Sequence, residues 1–175
     1  WDLANLRVIL RGKHAGRAVE DIQGNLVPAG RLSEVALREL AGQPDVAGVV
    51  GALGGMDDPF ASALAEGLAL YRETNDLLGL ELRLDRFYAS YGLRRASGHG
   101  HSEEVLRRLL QAEIDATNVK TALKLQRAGT MAEAERLRFF IPGGRLVIDK
   151  VLAALSDPAT AEQGMHGLRV HGFPV

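Results

Sequence analysis

Two pairs of an acidic and an amide side chain recur in this sequence with the same spacing. Asp2 and Asn5 form the first pair, and Asp115 and Asn118 form the second. Residues three apart lie on one face of a helix, so the members of each pair can act together. Catalysis by either aspartate would require a partner acid or base, and none is suggested, since Glu113 lies two residues from Asp115 and on another face. We therefore predict a structural role, in which each side chain hydrogen-bonds to a neighbouring helix or to a helix end.

Two short turns could present backbone N–H groups to an anion. Residues 28–31 (Pro-Ala-Gly-Arg) and residues 142–145 (Pro-Gly-Gly-Arg) each precede a predicted helix. The N-terminus of a helix attracts anions, but neither turn has the Gly-Lys-Ser/Thr ending of a phosphate-binding P-loop. We favour turns that only position the chain.

The histidines indicate no metal site. His99 and His101 lie two residues apart in a predicted loop, and a zinc site would need further ligands. His14, His166 and His171 stand at no recognisable spacing from them. The sequence has no cysteine, which excludes disulfides and thiolate-ligated zinc. We expect no metal and no cofactor.

The composition is that of a globular protein with a substantial core. Of 175 residues, 46% are hydrophobic and 25% are charged, enough for one domain or two small ones. The net charge of −1 argues against a nucleic-acid binder, which would carry a strong basic field. The apolar stretch at residues 46–56 is shorter than the roughly 18 residues that a bilayer span needs. No secretory signal opens the chain, and the absence of cysteines suits a cytoplasmic setting.

Helical periodicity dominates the chain, and no segment shows the alternation of a strand. The chain begins inside a helix, and the longest predicted helix, residues 59–91, has Pro59 at its first position and two apolar faces. A polar, basic loop is expected at residues 92–100. The predicted helices cover residues 1–15, 19–26, 33–40, 45–53, 59–91, 102–127, 131–140 and 147–155. The fold class is therefore all-α.

The sequence also contains an internal repeat. Residues 1–16 (WDLANLRVILRGKHAG) match residues 114–129 (IDATNVKTALKLQRAG) at an offset of 113. Residues 27–32 (VPAGRL) match residues 141–146 (IPGGRL) at an offset of 114. Two blocks in the same order at nearly one offset indicate a duplicated unit rather than two leucine-rich helices that happen to look alike.

The repeat predicts the domain organisation. We place the first helical repeat at residues 1–100, truncated at its start, and the second at residues 101–175, truncated at its end. Within the matched helices, Arg7 and Arg11 of the first copy are replaced by Lys120 and Lys124 of the second.

The matched residues resemble the repeated helix motif of the C subunits of V/A-type rotary ATPases, the family that includes the eukaryotic d subunit. The resemblance rests on D-L-x-N-L-R-x-I-L-R-x-K-x-x-G followed by P-x-G-x-L, and on E-I-D-x-x-N-V-K-T-x-L-K-L in the second copy. The segment from Tyr71 to Tyr88 is also of this type, and the similarity extends from Trp1 to about Leu155. A complete member should carry another repeat's worth of chain, divided between the two ends.

The resemblance implies an all-α protein of repeated helical units with long antiparallel helices, part of a funnel of three similar domains. It further implies a non-catalytic connector between the central shaft of the soluble motor and the membrane proteolipid ring. Such a protein binds those two partners, has no catalytic residues, binds no nucleic acid and lies in the cytoplasm, peripheral to the membrane. One alternative is a generic all-helical adaptor with another partner. A second is a helical enzyme whose active-site residues are scattered in the sequence.

Overall fold

The computed structural model describes residues 1–127 and 132–147, and it confirms the all-α class. Within these ranges there is no strand. The helices are α1 (Asp2–His14), α2 (Val19–Gln23), α3 (Glu34–Ala41), α4 (Val46–Gly55), α5 (Ala61–Thr74), α6 (Leu77–Arg95), α7 (His101–Arg127) and α8 (Glu133–Leu137).

Short polar side chains fix where two of the early helices begin. The Ser33 hydroxyl accepts a hydrogen bond from the backbone N–H of Ala36 at 3.2 Å, so α3 begins at the predicted cap. The Asp45 carboxylate accepts one from Gly48 N–H at 2.7 Å and starts α4 in the same way. Both caps satisfy N–H groups that a helix start leaves without an intrahelical partner.

The single helix predicted over residues 59–91 is wrong, because the chain breaks between α5 and α6. Asn75 adopts the left-handed conformation with φ of 52° and ends α5. The Thr74 hydroxyl then accepts from Asp76 N–H at 3.2 Å, and the Asp76 carboxylate accepts from the N–H two residues further on. The side chains of Thr74 and Asp76 thus offer the backbone local partners that compete with the helix.

The start of α5 also differs from the prediction that Pro59 occupies the first helical position. The helix begins at Ala61, and the Asp58 carboxylate accepts from Phe60 N–H at 2.9 Å just before it. The Asp58 side chain therefore stabilises a turn that precedes α5 and does not cap a helix that begins at Pro59.

The predicted loop at residues 92–100 is shorter than expected, because α6 continues to Arg95 and α7 begins at His101. Gly92 lies inside α6, and a Cβ placed there would lie 3.1 Å from a methyl group of Leu110 on α7. Glycine at this position permits the close approach of two helices.

At the end of the described chain, α8 is shorter than the predicted helix over residues 131–140. The predicted helix over residues 147–155, the end of α7 at Gly129 and the tail from Asp157 lie outside the described residues.

The chain forms two compact units, Trp1–Tyr88 and Ala89–Val175, with the boundary inside α6. In the first unit, α1 to α6 all contribute to one apolar core whose fully buried members include Leu6, Leu10, Leu37, Leu53 and Leu84. In the second, Ala89, Ile114 and Ile141 form a small core against Leu93. The predicted division into repeats at residue 100 rests on sequence matching and stays a prediction.

Across residues 1–127 and 132–147, no helix is both long enough and apolar enough to span a bilayer.

Candidate functional site

In the first unit, Asp2 and Asn5 fasten a turn onto helix α1. The Asn5 amide donates to the Val27 carbonyl at 2.7 Å and accepts from Val27 N–H at 2.9 Å. One turn of helix earlier, the two oxygens of the Asp2 carboxylate accept from Arg31 N–H at 2.8 Å and from Leu32 N–H at 3.1 Å. We call Asp2, Asn5 and residues 27–32 the first clamp.

The second unit contains the same arrangement. The Asn118 amide donates to the Ile141 carbonyl at 2.8 Å and accepts from Ile141 N–H at 2.9 Å. The Asp115 carboxylate accepts from Arg145 N–H at 3.0 Å and from Leu146 N–H at 3.1 Å. We call Asp115, Asn118 and residues 141–146 the second clamp. The repeat found in the sequence is thus a repeat of side-chain contacts.

The short helix before each turn is repeated as well. Helix α2, Val19–Gln23, and helix α8, Glu133–Leu137, are related by an offset of 114 residues. Each precedes its clamp turn by the same number of residues. The order helix, short helix and clamped turn is therefore the same in both units.

The chemistry of the clamp suits a buried structural role. Asn5 and Asn118 are 2% and 0% exposed, and each amide satisfies both the donor and the acceptor of one peptide residue. Hydrogen bonds to a carboxylate contribute about 1.5–3 kcal/mol each, more than bonds between neutral groups. The clamp thus satisfies turn backbone groups that no helix or strand pairs.

One glycine in each turn makes room for the aspartate. A Cβ atom at Gly30 would clash with the Asp2 carboxylate, and a Cβ atom at Gly144 would clash with the Asp115 carboxylate. Only glycine lets the backbone come this close to the carboxylate. The P-x-G-R-L pattern and the D-x-x-N pattern therefore form the two sides of each clamp.

These contacts decide between the interpretations of the two turns. The N–H groups that could have faced an external anion are occupied by the protein's own carboxylates, Asp2 in one unit and Asp115 in the other. The turns therefore position the chain, as predicted. The predicted hydrogen-bonding role of the Asp and Asn pairs is confirmed, but their partners are backbone groups of the two turns rather than a neighbouring helix.

A set of ion pairs joins α1 to α6 within the first unit. Arg7 pairs with Asp85, and Arg11 forms a bidentate pair with Glu81, in which one N–O distance is 2.9 Å. Burial raises the pKa of the Asp85 carboxyl, while the Arg7 guanidinium opposes that shift. The hydrogen bond to Glu81 is the main cause that raises the pKa of Arg11. We call these four residues the charge ladder.

The structure describes three of the five histidines, His14, His99 and His101. His99 and His101 are exposed, and His101 is the first residue of α7 rather than part of a loop. The Nδ1 atom of His14 lies 3.0 Å from the Tyr71 hydroxyl. Among the described residues there is no group of three or more side chains that could hold a metal ion. His166 and His171 lie outside the described residues.

Sequence inspection missed two features of the site. It matched the two blocks of each repeat but did not predict that they contact each other, although their joint recurrence was the available signal. It also missed Glu81 and Asp85 as partners of Arg7 and Arg11. The two arginines are four residues apart, as are the two acids, so each set lies on one face of its helix.

Comparison with known proteins places these features in a family. The sequence profile of the family described as ATP synthase (C/AC39) subunit matches residues 1–173. The V-type ATP synthase C subunit of Deinococcus radiodurans is 36% identical over 146 residues, which cover 83% of this chain and 39% of that protein. The A-type ATP synthase C subunit of Methanocaldococcus jannaschii is 31% identical over 168 residues, 96% of this chain and 41% of that protein.

The V-type ATP synthase C subunit of Thermus thermophilus is 37% identical over 147 residues, which cover 83% of this chain and 42% of that protein. The chain thus spans about two fifths of the length of these curated relatives. The duplicated clamp motifs, the all-helical fold and the profile match over nearly every residue agree, and the chain belongs to the ATP synthase (C/AC39) subunit family.

Proposed function

We propose that the complete protein is a non-catalytic connector in the central stalk of a V/A-type proton-translocating ATPase or ATP synthase. In this role it links the soluble rotor shaft to the membrane proteolipid ring. The observation that carries the proposal is the family match over residues 1–173, since the similar proteins are named as subunits of ATP synthases.

The use of buried polar groups supports a structural rather than a chemical role. The buried polar or charged residues of the described chain are Asn5, Asp58, Asp115 and Asn118. Each of the four is hydrogen-bonded to the backbone of its own unit. Side chains engaged in this way hold the fold and are not poised to bind or transform a substrate.

The clamps suit a part that carries mechanical load. A connector that transmits torque must resist bending at the joints between its helices. In each unit, four hydrogen bonds replace what would otherwise be a loosely held turn. With a net charge of −1, contacts with the shaft and ring rest on local complementarity rather than on long-range attraction. The connector works in the cytoplasm and is held at the membrane by the complex.

The test is reconstitution of the ATPase complex in vesicles with and without the complete protein. We expect that without it the soluble head still hydrolyses ATP while proton uptake into the vesicles stops, and that adding the protein back restores uptake. Proton uptake that persists without the protein, or ATP hydrolysis by the purified protein alone, would refute the proposal.

The generic adaptor predicts a different outcome in a second measurement. The complete protein is used to capture partners from solubilised membranes, and the bound proteins are identified. Recovery of shaft and ring proteins together supports the connector. Recovery of other proteins without them supports the adaptor.

A further inference from the structure

The two copies of the repeat differ at the positions of the charge ladder. In the first unit, Arg7 and Arg11 pair with acidic side chains of α6. The equivalent residues of the second unit are Lys120 and Lys124, both exposed. Neither lysine forms an ion pair with a residue of the described ranges 1–127 and 132–147.

The clamps establish that these positions are structurally equivalent. In both units the first basic residue follows the clamp aspartate by five residues and the second follows it by nine, on one uninterrupted helix. The neighbouring burial pattern is also shared, since the pairs Leu6 and Val119, and Ile9 and Ala122, are buried. The side chains of Lys120 and Lys124 therefore project from α7 as those of Arg7 and Arg11 project from α1.

An apolar position beside the ladder also differs between the two units. Leu10 is fully buried in the first unit, whereas its equivalent Leu123 is only partly buried. In the first unit, Leu80 and Leu84 of α6 belong to the same core as Leu10. Each of these leucines directly precedes a ladder carboxylate. Helix α6 thus supplies the negative charges and contributes two leucines to the core that contains Leu10.

We propose that Lys120, Lys124 and Leu123 form a docking surface for a helix with two carboxylates four residues apart, each preceded by an apolar residue. The occupant is a segment of the complete protein outside residues 1–175. The relatives leave ample chain for it, because the aligned part is about two fifths of their length. The spacing matches because residues four apart on each helix face the same way. The docking surface does not depend on the proposed function.

Zero-length carbodiimide cross-linking of the purified complete protein tests the proposal, because it joins lysine amines directly to carboxylates in contact. Residues 1–175 contain only four lysines, at positions 13, 120, 124 and 150, so the products are few. We expect peptide mass spectrometry to find Lys120 and Lys124 linked to two acids four residues apart in one segment outside residues 1–175. Lys13, which is outside the ladder, serves as the internal control and should not link to that segment.

Three outcomes would overturn the proposal. The lysines could link to acids within residues 148–175, they could link to another protein of the complex only when the complex is assembled, or they could give no specific product. Links to residues 148–175 would mean that this segment covers the surface. Links to another protein would mean that the surface binds a partner.

Charge reversal provides a second, independent readout. In the complete protein, Lys120→Glu with Lys124→Glu should lower the urea midpoint. Reversing the two cross-linked acids to lysine in the same protein should restore it. Lys13→Glu is the matched control and should leave the midpoint near that of the parent. An unchanged midpoint in the double variant, or a loss that the reversed acids do not restore, contradicts the docking surface.

Discussion

Asparagine suits position 118 because its side-chain amide both donates to the C=O and accepts from the N–H of Ile141. An aspartate of the same size could accept from the N–H but would place an oxygen against the carbonyl. We expect Asn118→Asp to lower the free energy of unfolding by about 1–3 kcal/mol at neutral pH, the cost of a buried polar group left without a partner. Urea unfolding provides the measurement.

Asn25→Asp is the control for that experiment, because the Asn25 amide donates to the Asp21 carbonyl on the exposed surface. Its effect should stay within about 0.5 kcal/mol. Equal losses in the two variants would show that the clamp amide has no special role.

A Cβ atom at position 144 would clash with the Asp115 carboxylate, whereas a Cβ atom at position 51 would meet no atom within 4 Å. Gly144→Ala should therefore displace Asp115 and cost about 1–3 kcal/mol, the range for overpacking. Gly51→Ala, inside α4, should gain roughly 0.5–1 kcal/mol, because alanine has the higher helix propensity. Thermal and urea unfolding of both variants would check this, and a stabilised Gly144→Ala protein would contradict the clamp geometry.

At the scale of elements, the helix starts were predictable where one side chain decides them, as with Ser33 and Asp45. The break between α5 and α6 was not predictable from periodicity, because apolar spacing continues across it. The signal was local: the side chains of Thr74 and Asp76 compete for backbone groups, and Asn75 is a residue type that tolerates the left-handed conformation.

The turn at Asn75 yields a prediction with a built-in control. A non-glycine residue in the left-handed region costs about 1–2 kcal/mol, and asparagine bears this cost better than most. Asn75→Ala should therefore lower stability by about 1 kcal/mol, whereas Asn75→Gly should be neutral or slightly stabilising. If alanine were tolerated as well as glycine in urea unfolding, α5 and α6 would not be separated by this conformation.

The segment before α5 predicts a dependence on pH. Burial raises the pKa of the Asp58 carboxyl, with a smaller contribution from nearby Asp2. Because the folded-state pKa lies above the unfolded value of about 3.9, stability is greatest below that value and is lost as pH rises through the folded pKa. Asp58→Asn cannot ionise, and its amide oxygen can still accept from Phe60 N–H.

The Asp58→Asn variant should therefore be more stable than the parent protein at pH 7, and the difference should shrink towards pH 3. Urea midpoints at the two pH values would measure it. A variant less stable than the parent at pH 7 would mean that the ionised carboxylate contributes more through its hydrogen bond than burial costs.

At the scale of the whole molecule, the sequence was sufficient for the all-α class, the repeat and the family. It was not sufficient for the contacts between the repeat blocks or for the charge ladder. Arg7 and Asp85 are separated by 78 residues, and no periodicity links residues that far apart. Such pairs form because two amphipathic helices pack in one register, which a helix-by-helix prediction does not determine.

Comparison of the two copies leads to a prediction about their cores. Leu10→Ala should cost about 2–5 kcal/mol, because the side chain is completely buried. In residues 1–175, where the proposed docking segment is absent, Leu123→Ala at the equivalent position should cost less, because that side chain is partly exposed. Urea midpoints would compare the two, and equal losses would mean that the burial of Leu123 matches that of Leu10.

The short sequence span of the clamp has a consequence for how the protein is made. Its hydrogen bonds join residues only 22 to 31 positions apart, whereas the ladder joins residues 70 and 78 positions apart. Local contacts close early because little chain entropy is lost in forming them. On a translating ribosome the first clamp can therefore close soon after Leu32 has left the exit tunnel. At that stage the carboxylates that will neutralise Arg7 and Arg11 have not yet left the ribosome.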